Sequence, residues 1–300
     1  MQRANSYISL VATPFILVGN ILVFISVFGK KRQMRTFTSI LLANLAAADF
    51  CFGLVESLKA LTFQITTRNF KSGFFCRVTG YITFITLVVS IGTLTVIAHA
   101  RHSAVISPLR FRRHRSRCNI VFIVVSTWLT ALVFTCPIVL LSRTTTGIGK
   151  RNCAVSPVSL QYGIYHVCIG LLGILVPCSV TGYCYIKVIH KLWYPQSIIR
   201  ASGHTVYRSR KRLIKLLILM TTLFFTCWMA LCVQQVLFIV DMYSDSLEIT
   251  CFFLLHVNAC CNPVVYSLHN PKLRKCMNRL VHHKRVRTSP PRAVHVLAMT

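Results

Sequence analysis

The sequence predicts an all-α membrane protein, a bundle of seven transmembrane helices followed by a short amphipathic helix on the cytoplasmic side. Three observations indicate this fold. The 300 residues are 54% hydrophobic and only 13% charged, which is about half the charge of a typical soluble domain. The apolar residues form seven runs, each near or above the ~20 residues needed to cross a bilayer. Lys and Arg are concentrated in alternate connections between these runs.

Each apolar run predicts a helix, because lipid cannot satisfy exposed backbone amides. The runs cover residues 7–28, 37–61, 74–101, 118–141, 162–190, 212–240 and 249–268. Residues 1–6 are predicted to be a short extracellular N-terminus, and residues 7–268 the transmembrane domain. Asn270-Pro271 interrupts the last helix, and residues 271–283 are predicted to form the amphipathic helix. Residues 284–300 are expected to be a disordered cytoplasmic tail.

The charge balance is strongly basic, with 34 Lys and Arg against five acids and a net charge of +29. In a soluble protein this balance would indicate nucleic acid as a partner. Here the basic residues lie in short segments beside apolar runs, so we expect membrane lipids as partners and no nucleic acid. The connections after runs one, three, five and seven hold most of the Lys and Arg and no acid. This asymmetry predicts a multi-pass plasma membrane protein whose N-terminus is extracellular.

Several polar side chains lie inside the predicted spans, where they are costly and therefore candidates for function. The strongest is Asp49, in the middle of the second run. At comparable depth in other runs lie Asn20, Ser90, Asn258 and Asn262. A carboxylate facing amides and a hydroxyl could hold a proton, a Na⁺ ion or ordered waters. The alternative is a cluster of hydrogen bonds that only packs the helices.

Several short motifs occur in a definite order along the runs. They are Gly19-Asn20, Asn44-Leu45-Ala46-Ala47-Ala48-Asp49, Trp128, Pro177 with Tyr185, Phe224-x-x-Cys227-Trp228, and Asn262-Pro263-Val264-Val265-Tyr266. In addition, Cys76 stands 25 positions before Arg101. In these motifs, and over about residues 10–280, the sequence resembles the rhodopsin-like (class A) G-protein-coupled receptors. The resemblance implies a receptor that couples an extracellular ligand to a heterotrimeric G protein.

The resemblance implies roles for the cysteines outside the runs and for the polar cluster. Cys76 and Cys153 would form a disulfide that ties the second outer loop to the third helix. The alternative is two free thiols in the loops. Asp49, Ser90, Asn258 and Asn262 would form a pocket for an allosteric Na⁺ ion, the one metal that we expect. No other cofactor is implied.

The resemblance also implies an activation mechanism. Arg101 would engage the G protein once the sixth helix moves outward. The residues implied as activation switches are Trp228, Phe224, Pro263, Tyr266 and Tyr185. Trp228 would lie below the ligand cavity as a packing switch, or it is an ordinary buried aromatic residue. Proline weakens the seventh helix, because it removes an amide donor and clashes with the preceding turn. Tyr266 could then swing toward Tyr185.

The sequence departs from the family pattern at three positions. The third-helix motif reads Ala100-Arg101-His102, so the arginine lacks the usual neighbouring acid. Ala230 replaces the usual proline of the sixth helix, and twenty positions before it stands Arg210 where some relatives carry an acid. Two charge-assisted contacts, each about 1.5–3 kcal/mol, are therefore missing from the inactive state. This predicts raised basal activity, and Ala230 predicts a weaker helix kink.

The ligand cavity should open outward, and five residues are candidates for its polar groups: Thr83, Gln235, His256, Glu56 and Lys59. Thr83 stands where amine receptors carry an aspartate, which disfavours a monoamine ligand. His256 stands where opsins carry the retinal-linking lysine, which excludes covalent light sensing. Glu56 and Lys59 are three apart and are expected chiefly to neutralise each other, or else one contacts the ligand. Peptide, nucleotide, lipid and odorant-like ligands remain open.

Other classes of protein fit less well. A transporter usually has paired repeats and a line of charged residues, which this sequence lacks. No metalloprotease, nucleophile-elbow or phosphate-loop motif occurs, so an enzyme is not expected. A constitutively active orphan receptor that signals without ligand is the serious alternative. Cys276 lies in the predicted amphipathic helix and is a candidate for palmitoylation, or an unmodified thiol.

Overall fold

The computed structural model contains eight helices and one small sheet among the residues it describes. Those residues are 2–29, 36–65, 73–113, 116–140, 142–144, 155–157, 160–193, 214–215, 218–219, 221–234, 236–237, 240, 242, 244–269, 274 and 277. In chain order the elements are α1 (Gln2–Phe28), α2 (Phe37–Ile65), α3 (Gly73–Ile106), α4 (Pro108–Arg113), α5 (Arg117–Leu140), β1 (Ser142–Thr144), β2 (Val155–Pro157), α6 (Leu160–Trp193), α7 (Thr221–Gln234) and α8 (Asp245–His269).

The predicted seven-helix bundle is confirmed. Helices α1, α2, α3, α5, α6 and α8 are long and apolar enough to cross a membrane, and α7 is a shorter apolar helix within the sixth predicted run. Helix α3 has 34 residues, which at 1.5 Å per residue gives about 51 Å, well beyond a bilayer core of about 30 Å. The helix is therefore longer than the hydrocarbon layer and extends past it.

Helix boundaries differ from the prediction at several points. Helix α1 begins at Gln2, so residues predicted to precede the first helix are part of it. Helix α3 continues to Ile106 and is followed by the six-residue α4, which was not predicted. Strands β1 and β2 pair antiparallel, with Arg143 opposite Ser156. This two-stranded sheet is an exception to the all-α prediction, because three-residue strands leave no readable alternation in the sequence.

The surface of the bundle is apolar, as a lipid solvent requires. Helix α1 shows this clearly: its large apolar side chains Val11, Phe15 and Val18 are exposed, and Phe15 is 69% exposed. Its buried face carries Ser6, Ser9, Thr13 and Asn20 together with the apolar Ile16, Val23 and Val27. A soluble amphipathic helix has the opposite arrangement. The inward polar face is therefore available for hydrogen bonds between helices.

Helix α3 lies at the centre of the bundle, in contact with α2, α4, α5 and α6, while α1 packs against α2 and α8. A central apolar cluster joins side chains from several helices: Val23, Leu45, Leu94, Ile174, Phe224 and Tyr266. Met277 packs against this cluster and Arg274 is exposed, and both are helical. These are the two described residues of the predicted amphipathic helix, and their burial agrees with an apolar face toward the bundle.

Candidate functional site

The deepest polar contact joins α2 to α8. The Asn262 side-chain amide donates a hydrogen bond to Asp49 Oδ2 at 2.6 Å, and both residues are buried. Ser90 and Asn258 are also buried, but the Ser90 hydroxyl donates to the Thr86 carbonyl of its own helix at 2.8 Å. Of the four residues predicted to hold Na⁺, the structure thus brings Asp49 and Asn262 into direct contact. This bond uses only the hydroxyl hydrogen, so the Ser90 oxygen can still accept a hydrogen bond or coordinate an ion.

The Gly19-Asn20 motif compensates for the proline in α8. Pro263 has no amide hydrogen, so the carbonyl of Ala259, four residues earlier, loses its helical donor. The Asn20 side-chain amide donates to this carbonyl at 3.3 Å and to the Ile16 carbonyl at 2.9 Å. A Cβ on Gly19 would lie 2.9 Å from Pro263 Cγ, so only glycine allows α1 to approach this closely. The Gly19-Asn20 motif of α1 and the Asn262-Pro263 motif of α8 therefore belong to one contact between these two helices.

A second network joins α2, α3 and α5. The Trp128 indole donates to Asn44 Oδ1 at 2.9 Å, and the Asn44 amide donates to Thr93 Oγ1 at 2.8 Å. The Thr93 hydroxyl in turn donates to the Val89 carbonyl at 2.7 Å. Trp128, the lone tryptophan of the fourth predicted run, thus links α5 to α2 through the hydrogen bond that its indole N–H donates. Sequence reasoning missed Thr93, because a hydroxyl that bonds its own helix is inexpensive in a span and gives no signal.

The predicted switch residues of α7 lie between two apolar clusters. The rings of Phe224 and Trp228 are tilted, with centroids 6.2 Å apart. Phe224 is fully buried in the central cluster, and Trp228 packs against that cluster and against a neighbouring one that contains Ile16, Phe52 and Leu87. Its indole nitrogen is buried without a hydrogen-bond partner among the described residues. Among the residues described, Trp228 is therefore held by packing alone.

The two predicted tyrosines lie in different clusters. Tyr185 shares a hydrogen bond with Thr221 across 3.4 Å, linking α6 to α7. Tyr266 is buried in the central cluster, and its hydroxyl has no partner within the described chain. A buried hydroxyl without a hydrogen-bond partner is unfavourable, so a conformation of Tyr266 in which its hydroxyl forms a hydrogen bond would be lower in free energy. The inward swing of Tyr266 stays a prediction.

Arg101 has no acidic partner among the residues that the structure describes. Its neighbour Ala100 is buried and carries no charge, and no described residue forms a hydrogen bond with its own buried Nε. Over the residues that the structure describes, Arg101 forms no ion pair. Helix α7 includes Ala230, and the weaker kink stays a prediction. Arg210 lies outside the described residues.

Glu56, Lys59 and Thr83 form one polar group toward the C-terminal end of α2 and the N-terminal end of α3. Lys59 Nζ lies 2.6 Å from Glu56 Oε1 and donates to Thr83 Oγ1 at 3.0 Å, and Thr83 Oγ1 is 3.1 Å from Glu56 Oε1. The Glu56 side chain is 4% exposed and that of Lys59 is 21% exposed. The expected mutual neutralisation is thus seen, with the lysine as the more accessible member.

His256 is buried at the same end of the bundle. Its Nδ1 donates to the Phe252 carbonyl at 2.9 Å, since a carbonyl can only accept. In a neutral ring Nε2 then accepts from the Ser9 hydroxyl at 3.3 Å. His256 is therefore engaged on both nitrogens and ties α8 to α1. Gln235, the remaining candidate cavity residue, lies outside the described positions.

The cysteine predictions are settled only at one position. Cys76, near the N-terminal end of α3, is disulfide-bonded. Its predicted partner, Cys153, lies outside the described residues, as does Cys276, so the pairing and the palmitoylation stay predictions. The free cysteines that the structure describes include Cys184, Cys227, Cys232 and Cys251, all buried in the bundle.

Comparison with known proteins agrees with this geometry. The profile of the family described as 7 transmembrane receptor (rhodopsin family) matches residues 19–266. Somatostatin receptor type 4 of Rattus norvegicus is 30% identical over 88% of this chain and 69% of that receptor. The substance-P receptor of Cavia porcellus is 25% identical over 90% of the chain and 68% of the receptor. Galanin receptor 2a of Danio rerio is 26% identical over 89% and 76%, respectively.

The profile match covers most of the bundle, from Gly19 in α1 to Tyr266 in α8, and so includes both halves of the α1–α8 contact. It also spans Arg101 and the Asp49 cluster. The chain therefore belongs to the rhodopsin family of seven-transmembrane receptors, multi-pass proteins of the plasma membrane that couple an extracellular ligand to a heterotrimeric G protein.

Proposed function

We propose that the extracellular ligand of this receptor is a peptide. The relatives are receptors for somatostatin, substance P and galanin, which are peptides. The outer polar group supports the same ligand class. An amine ligand needs a free carboxylate in the cavity, whereas Glu56 is buried and already paired with Lys59. Thr83, at the amine-binding position, is occupied by the same pair.

Lys59 is the group of this site best placed to meet a ligand. A peptide carbonyl or carboxylate can accept a hydrogen bond from the ammonium while Glu56 keeps the pair neutral. The test is a peptide library applied to cells, read by G-protein activation, with Lys59→Gln beside wild type. An activating peptide whose potency falls in Lys59→Gln supports the proposal. Activation only by amines, nucleotides or lipids would contradict it.

Arg101 is the residue that we propose for G-protein coupling. Its planar and permanently charged guanidinium suits the carbonyl groups at a helix end. Arg101→Ala should abolish ligand-driven signalling while surface delivery is preserved. Arg77→Ala is the matched control, because Arg77 is exposed near the opposite end of the same helix. Equal loss of signalling in both variants would refute the assignment.

We infer that the receptor also has raised basal activity. The supporting observation is that Arg101 has no ion pair among the described residues, so the inactive arrangement lacks a charge-assisted contact. Cells that express the receptor without added ligand should show second-messenger levels above those of empty cells. Equal levels at good surface expression, across several G-protein classes, would contradict the inference. A wholly ligand-independent receptor is less consistent with relatives named for their ligands.

We propose that Na⁺ acts as an allosteric ion at the Asp49 cluster. The donor set fits the ion, because a buried carboxylate, a hydroxyl and amide carbonyls are hard oxygen ligands. Asp49 supplies the charge, and Ser90, Asn258 and Asn262 are buried candidates for the remaining ligands. Replacing choline chloride by NaCl should raise the unfolding temperature of the wild type and not of Asp49→Asn. Asp245→Asn, at an exposed acid, is the control and should keep the sodium effect.

We propose that the N-terminus is extracellular and the C-terminus cytoplasmic, with the basic connections against anionic lipid. The support is the Lys and Arg asymmetry of the sequence. Epitope tags at the two ends should be accessible from opposite faces of intact cells. Detection of both tags from the same face would contradict an odd number of crossings.

A further inference from the structure

Three side chains with metal-binding chemistry meet between α3 and α6. They are His99 and His102 on α3 and Cys184 on α6. One ring nitrogen of each histidine and the cysteine sulfur all lie within 4.8 Å of one another. None of the three takes part in the receptor functions described above.

Helix geometry explains why these residues meet. Positions three apart share one face of a helix, so His99 and His102 point the same way, with ring centroids 6.3 Å apart. Helix α3 packs against α6, where Cys184 is buried beside Ile97 in an apolar cluster. His102 is four residues from the end of α3, about 6 Å along the axis. Because His99 is exposed at the surface of the bundle, neighbouring helices do not cover the group.

Little competes for the donor atoms. The His99 Nε2 lies 3.4 Å from Ser103 Oγ, which is a long and weak hydrogen bond. The ring of His102 lies 5.9 Å from the ring of Tyr183, centroid to centroid, a contact that leaves its nitrogens available. Tetrahedral Zn²⁺ at normal bond lengths holds neighbouring nitrogen and sulfur ligands about 3.3–3.6 Å apart. Rotation of the two imidazole rings that moves their nitrogens by about an ångström would therefore bring the three donor atoms to zinc-binding distances.

The donor atoms of the group favour a soft cation, although the charged side chains nearby are themselves positive. The nearby cations are Arg101, next in sequence to His102, and Lys187, whose Nζ lies 5.7 Å from the Tyr183 ring centroid. The donor set contains no carboxylate, so Mg²⁺ and Ca²⁺ lack their preferred ligands. A thiolate supplies the one negative charge, and two neutral imidazoles complete a set typical of zinc.

We propose that His99, His102 and Cys184 bind a zinc ion that bridges α3 and α6 at the cytoplasmic end of the bundle. The Cys184 thiol releases its proton to solvent as the sulfur–zinc bond forms, and water supplies the fourth ligand. No electron transfer is involved. The reducing cytoplasm keeps the cysteine available as a thiol. The bound ion fixes α3 to α6 one residue away from Arg101.

The experiment uses the purified full-length receptor in nanodiscs. Zn²⁺ alone is titrated against a chromophoric chelator, and Co²⁺ is used as a spectroscopic substitute, because a cobalt–thiolate bond gives a charge-transfer band in the near ultraviolet. The variants are Cys184→Ser, His102→Gln and His99→Gln. His99 is exposed, so its replacement tests the site without disturbing the core. The controls are Cys178→Ser and His190→Gln, a free exposed cysteine and a histidine on the same α6.

The wild type and both controls should bind one zinc ion and show the cobalt band. Cys184→Ser should lose the band, and either histidine variant should weaken zinc binding about tenfold or more. Zinc should raise the unfolding temperature of the wild type and not that of His99→Gln. Binding and a cobalt band that survive in Cys184→Ser and His99→Gln would overturn the proposal, since the ion would then lie elsewhere. Failure of the wild type to bind zinc would also overturn it.

Discussion

Replacement of Gly19 by alanine is the sharpest test of the contact between α1 and α8. The new Cβ would lie 2.9 Å from Pro263 Cγ and 3.2 Å from Pro263 Cβ. Carbon atoms pack best at about 3.5–4.0 Å, so the overlap is roughly 0.6 Å. The proline ring is closed onto the backbone nitrogen and so cannot rotate away as an open side chain would. The helices must therefore separate, and overpacking of this kind costs about 1–3 kcal/mol of unfolding free energy.

The matched control is Gly182→Ala on α6, where an added Cβ meets nothing within 4 Å. Alanine is a better helix former than glycine by about 0.8–1 kcal/mol, and both variants gain this amount. The difference between the two variants thus isolates the steric cost. Separation of α1 from α8 would also lengthen the Asn20–Ala259 hydrogen bond, already 3.3 Å, at a further cost of about 0.5–1.5 kcal/mol.

The assay is thermal unfolding of the detergent-solubilised receptor, followed with a dye that reacts with newly exposed thiols. The reporters are the buried cysteines Cys184, Cys227, Cys232 and Cys251. At roughly 2–4 °C per kcal/mol, Gly19→Ala should unfold several degrees below Gly182→Ala at the same scan rate. Equal unfolding temperatures would show that the two helices do not approach at Gly19, and the account of Asn20 and Pro263 would fail with it.

Three further outcomes follow from the contacts. Trp128→Phe should lower the free energy of unfolding by about 1 kcal/mol, and this loss should disappear in a background that carries Asn44→Ala, as a double-mutant cycle can measure. Lys59→Met leaves the buried Glu56 carboxylate without its charged partner and should cost about 3–5 kcal/mol of unfolding free energy. Surface expression should largely recover when Glu56→Gln is added, and no recovery would argue against the pair. Cys76→Ser should cost about 2–5 kcal/mol, and a reducing agent should lower the unfolding temperature of the wild type but not of this variant.

The sequence predicted the bundle because lipid imposes one rule on the whole chain. Each span must be apolar on its outer face and must form all its backbone hydrogen bonds internally, which makes spans easy to count. Their ends are harder to predict, since α3 continues past its apolar run to Ile106 while it leaves the hydrocarbon. The short sheet of β1 and β2 was missed because each strand has only three residues.

The candidate site was predicted as a set of residues but not as a set of contacts. Motif order indicated Asp49, Asn262 and Arg101, and the structure shows which atoms of the first two meet. The partnership of Asn20 with the carbonyl freed by Pro263 could not be read from the sequence, because it depends on the distance between two helices. The two histidines near Arg101 were visible, yet nothing in the sequence placed Cys184 beside them.

The Asn20–Ala259 hydrogen bond joins residues 239 positions apart, near opposite ends of the chain. During synthesis, α1 enters the bilayer long before Ala259 has been translated. Until then the Asn20 amide lacks this hydrogen-bond acceptor. Only insertion of the final helix closes the ring of helices and satisfies both partners. A chain truncated before α8 would leave this amide without its distant acceptor, which gives quality-control machinery a simple physical difference between a finished receptor and an unfinished one.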